Sequence, residues 1–173
     1  MKKSLVLLLF LALGLAPAAF AASTTSVTVA VGAEASLTVS AATPLTEAGN
    51  FANYTGATTF TYLIRTTPST GTGSVTLKVT TDFAPTGGPS VATPATGDSL
   101  TYSCTATGTS TPAACSGPIT ALTTAYTNVL TVGADKHSTL AGDTGTVNWT
   151  LTNDPNYKVA SYSSTVTFTV AAA

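Results

Sequence analysis

The sequence predicts an all-β fold: an antiparallel, immunoglobulin-like β-sandwich of about seven to nine short strands. Three observations predict it. Apolar residues alternate with polar ones at a period of two in segment after segment; clusters of Gly, Pro, Asn and Asp separate the segments; and no stretch carries a helical stripe. The polar partner in the alternation is most often Thr, which fills 38 of the 173 positions. Its branched Cβ favours extended backbone, and its hydroxyl keeps a solvent-facing surface wet without charge.

The elements follow in chain order. Lys2 and Lys3 precede an apolar run over 5–15, and Ala19-Phe20-Ala21 fits the small-x-small rule of signal peptidase, so 1–21 reads as a signal peptide. At ~1.5 Å per residue the run covers about 17 Å, short of a ~30 Å hydrocarbon core. No later apolar run has spanning length. The expectation is a protein secreted to the cell surface or beyond, with no membrane span after processing. Removing Lys2 and Lys3 leaves Arg65, Lys78, Lys136 and Lys158 against seven acids, a net charge of −3.

Residues 22–40 form an N-terminal strand segment with an unusual property. From 26 to 40 the odd positions read Val27, Val29, Val31, Ala33, Ala35, Leu37, Val39, and the parity never slips. At ~3.3 Å per residue this is about 50 Å of extended chain, where a typical strand spans ~17–20 Å. Two structures satisfy the pattern. In one, the strand bends at Gly32 and crosses between the sheets of its own sandwich. In the other, only the part around Leu37–Val39 pairs at home, and Val27, Val29 and Val31 enter a groove of a second copy as a donated strand. Repeated head to tail, that contact gives an open filament. The scarcity of Lys and Glu removes the residues that usually guard exposed sheet edges.

Residues 41–173 read as the sandwich domain. Phe60-Tyr62-Ile64, Val75-Leu77-Val79, Leu100-Tyr102-Cys104, Leu130-Val132, Val147-Trp149-Leu151 and Val166-Phe168-Val170 each mark the inner face of a strand. Trp149, Leu151 and Phe168 are expected in the core. Breakers fall at 68–73, 85–89, 94–97, 108–118, 142–145 and 153–156, and the connections around 82–98 and 105–120 read as long loops. Cys104 and Cys115, eleven positions apart in an exported chain, are expected to form a disulfide worth about 2–3 kcal/mol by loop closure.

Composition excludes several functions. Six Lys+Arg cannot supply the basic face that nucleic acid requires. At 8% charged residues, ionisable groups are too dispersed for acid–base catalysis, so no enzyme and no catalytic residues are expected. The single His137 sits in a polar turn beside Asp135 and Lys136, and Cys-x-x-Cys is absent, so neither a metal site nor a cofactor is expected. Asp82, Asp98, Asp143 and Asp154 fall at turns, where Asp commonly bonds its own backbone. Tyr54, Tyr126 and Tyr157, in or beside loops, can stack on sugar rings, which makes a surface glycan a second candidate partner.

Two resemblances add to this reading. Trp149-Thr150-Leu151, preceded by Thr146-Val147-Asn148 and followed by Asp154-Pro155, resembles the signature of WxL-type bacterial surface domains, in a single copy where that family usually carries two. The order of leader, free alternating strand and Thr-rich sandwich resembles secreted pilin and coat subunits assembled by donor-strand exchange. The latter resemblance implies a structural subunit of an extracellular filament, pilus or surface coat, whose partners are copies of itself. The alternative is a secreted carbohydrate-binding or adhesive module acting as a monomer.

Overall fold

The computed structural model describes residues 25–173 other than Thr96; the expected signal peptide lies outside them. Among the described residues there are ten strands: β1 (Glu34–Val39), β2 (Thr46–Glu47), β3 (Tyr54–Arg65), β4 (Gly73–Ala84), β5 (Leu100–Thr107), β6 (Ala113–Ala114), β7 (Ile119–Thr120), β8 (Thr127–Val132), β9 (Asp143–Leu151) and β10 (Ser163–Ala172). Seven have six residues or more, and the other three have two each. They make two antiparallel sheets, as the alternation predicts. One runs β1-β3-β9-β5-β7, with β2 beside β1 on the same edge of β3; the other runs β10-β4-β8-β6.

Alternation converts directly into two layers. The inner positions of β3, Phe60, Tyr62 and Ile64, are buried, as are Val75, Leu77 and Val79 of β4. Trp149 and Leu151 of β9 join them, at 5% and 4% exposure. Gly145 is where it is for packing: it pairs with Phe60, and any Cβ there would collide with the Phe60 ring. The 105–120 segment differs from the expected loop, because backbone pairing continues through β6 and β7. These two-residue strands are too short to show a period.

The strand pattern of 26–40 is also used only in part. β1 begins at Glu34, which pairs with Arg65, and runs to Val39 opposite Phe60. β3 ends at Arg65, and the next amide, of Thr66, bonds the Lys136 carbonyl instead. Residues before Glu34 therefore have no further rungs to pair with on β3. The segment 25–33 lies outside any strand, with Val27, Val29 and Val31 exposed at 91%, 80% and 64%.

The outer face of the six-stranded sheet is built from the other parity. Thr61, Thr144 and Thr107 stand in line across β3, β9 and β5, and Thr59, Thr146 and Thr105 form the next line.

Candidate functional site: a groove between two sheet edges

The two margins of the sandwich are finished differently. At one, β5 lies against β6 and β8, and Cys104 of β5 is bonded to Cys115, just beyond β6. The Cys115 amide in turn bonds the Val129 carbonyl of β8 at 2.9 Å, so the disulfide joins sheet to sheet rather than only pinning a loop. Ser110, inside the disulfide loop, is fully buried; its amide donates to Asp143 at 2.8 Å and its hydroxyl lies 3.1 Å from that of Tyr62. Burial pushes the Asp143 carboxyl up, but the Ser110 hydroxyl and the amides of Ser110, Thr109 and Thr139 outweigh it and hold the group below the usual carboxylate range.

At the other margin β1 and β10 face each other, each the last strand of its sheet. Between them lies a groove of about 1420 Å³. Leu37 and Val39 line it from β1, Val166, Phe168 and Val170 from β10, and Phe83 from β4. All six pack against the core yet remain only half-buried. Phe168, expected in the core, is thus a wall of the groove, its ring 6.1 Å from that of Phe60. The inner face of this margin is apolar on both sides, and each edge strand has a backbone row with no neighbouring strand among the described residues.

The far end of the groove is more polar. Trp149 reaches it, and its Nε1 donates to the Thr58 hydroxyl at 2.8 Å, which in turn lies 2.7 Å from the Thr43 hydroxyl. Tyr157 donates to Asp98 at 2.9 Å. Burial, then the Asp98 hydrogen bond and the nearby carboxylates of Asp98 and Asp154, push the Tyr157 hydroxyl far above its ordinary value, so it stays protonated and pinned.

The structure sorts the other sequence candidates. Tyr54 and Tyr157 both line the groove, while Tyr126 lies elsewhere, 5.7 Å beneath the Lys78 ammonium. The three do not form one stacking platform. Asp154 bonds the Asn156 amide locally, and Asp82 holds the loop after β4 through the Ser90 hydroxyl and the amides of Phe83, Val91 and Ala92. Asp98 and Asp143 depart from the expected local turn bonds: both are buried and accept from residues distant in sequence. His137 is exposed. Among the described residues no three His, Cys, Asp or Glu side chains assemble in a metal-binding group. Sequence reasoning did not find the groove itself, because it is formed by strands at opposite ends of the domain. The signal present was that β1 and β10 both alternate cleanly.

Searches of protein families, of curated proteins and of solved structures find no match to this chain.

Proposed function

We propose that this chain is the repeating subunit of an extracellular filament or surface coat, in which residues 25–33 of one copy occupy the groove between β1 and β10 of the next. One observation carries the reading. Among the described residues, a single chain has both an apolar groove flanked by two open sheet edges and an exposed Val-x-Val-x-Val segment that lies outside every strand.

The dimensions agree. Nine extended residues at ~3.3 Å span about 30 Å, close to the length of a ten-residue strand such as β10. The period of two puts Val27, Val29 and Val31 on one side of the donated strand, towards Leu37, Val166 and Phe168 of the acceptor. Each Val transferred from water contributes about 1.5–3 kcal/mol of gross free energy, and the backbone rows of the edge strands supply register. Donor and acceptor surfaces differ, so the contact propagates instead of closing on itself. Little in this interface is charged, and the assembly is accordingly insensitive to salt.

The test uses the chain without residues 1–21. Electron microscopy should show filaments that persist in high salt, and Val29→Asp should leave a folded protein that no longer polymerises. Monomers under all conditions would defeat the reading. So would a Val29→Asp chain that fails to fold, since the segment would then belong to its own core.

A further inference from the structure

The outer face of the six-stranded sheet has a regularity that strand donation does not use. Besides the two Thr lines described above, Thr55, Thr150 and Thr101 form a third across β3, β9 and β5. Between it and the others stands the uncharged row Ala57, Asn148 and Ser103. Three adjacent strands thus carry four rows, nine of whose twelve positions are Thr. Thr38 on β1 extends one row, and Thr46 and Thr120 extend another.

Three features set this face apart. First, its register is unbroken: the ladders of β3 with β9 and of β9 with β5 run without a bulge. The four-stranded sheet has register shifts in both the β4–β10 and β4–β8 pairs, and its outer face carries Lys78 opposite Thr167. Second, no charged side chain stands in any of the four rows; the nearest ion pair, Arg65 with Glu34, lies beyond their end. Third, few of the hydroxyls are spent within the protein. Thr107 and Thr144 lie 3.3 Å apart and Thr101 reaches the Thr150 carbonyl, while the remaining Thr hydroxyls of the rows have no partner among the described residues.

Strand spacing of ~4.8 Å and a two-residue rise of ~6.7 Å turn these rows into a two-dimensional lattice of paired hydroxyl and methyl groups. β-branching restricts χ1, so each Thr presents its groups in few orientations. A ligand that matches such a surface is itself flat, periodic and hydroxyl-like over about 2 nm by 1 nm, and carries no tightly hydrated charges. Oxygen repeats on the faces of hexagonal ice are of the same order as both lattice spacings. An isolated sugar has no such repeat, and this face lacks the aromatic rings that would stack on one.

We propose that the outer face of the six-stranded sheet binds the surface of ice, through water held on the Thr lattice. Each contact is weak, and binding comes from many acting at once. The central strands β3, β9 and β5 do most of it, because sheet twist accumulates towards the edges. This holds for the monomer and does not depend on filament formation.

Ice grown slowly from a dilute solution of the protein lacking residues 1–21 tests it. The protein should be enriched in the ice over the liquid and should slow recrystallisation. Thr59→Lys and Thr105→Lys, both at exposed positions, should each lose most of that enrichment with an unchanged thermal melt. Thr131→Lys, exposed on β8 of the other sheet, should keep it. Exclusion of the unsubstituted protein from ice, whether or not it is retained on crystalline cellulose or chitin, overturns the proposal. So does equal partitioning of all three variants.

Discussion

The two margins of the sandwich are made from similar sequence and end in different states. At the disulfide margin Tyr102 is 1% exposed, its hydroxyl 2.7 Å from that of Thr127 and 2.9 Å from the Asn128 carbonyl. At the β1–β10 margin Val166, Phe168 and Val170 alternate as cleanly as Val75, Leu77 and Val79, yet stay half-buried. The difference lies in neighbours. β4 is flanked on both sides by β10 and β8, whereas β10 has a strand on one side only among the described residues. Burial in a sheet is set by what lies beside and above a strand, and the strand's own pattern only makes burial available.

That contrast can be broken in order of expected size. Leu130→Ala, at a fully buried position of β8, should cost about 2–5 kcal/mol, while Phe168→Ala in the monomer should cost distinctly less, because part of that ring already faces water. Urea midpoints of the two variants decide it, and equal losses would mean the margins are equally packed. Replacing Cys104 and Cys115 together by Ser should lower stability by about 2–3 kcal/mol and leave the disulfide margin closed by side chains alone.

The smallest effect concerns pH. Asp143, on the disulfide side, has its folded pKa depressed, so its contribution is fully present above the unfolded value of ~3.9 and is lost as pH falls through the lower folded one. Asp143→Asn should therefore melt at a lower temperature at neutral pH. The gap to the unsubstituted chain should narrow as the solution is acidified below about pH 4, with a shallower acid limb in the variant.

The strands were legible because their signal is local. Thr-for-charge alternation marks the inner faces of β3, β4, β9 and β10, and the Cys104–Cys115 bond follows from an even count of cysteines and the expectation of export. β2, β6 and β7 were not legible, since two residues carry no period. The groove was not legible either: it needs β1 and β10, more than 120 positions apart, to close the same side. The parity of 26–40 is unbroken, but its extent exceeds β1, because pairing stops where β3 stops. Asp143 looked like a turn residue because its partner, Ser110, lies 33 positions away.

A covalent tie at one side of a two-layered body leaves the other side to side-chain packing alone. Cys104–Cys115 joins the layers on the strand that carries Tyr102, whereas β1 and β10 face each other across the opposite side with no covalent bond between them. An occupant of the groove lined by Leu37 and Phe168 would add there the cross-layer contacts that the disulfide supplies at the other end.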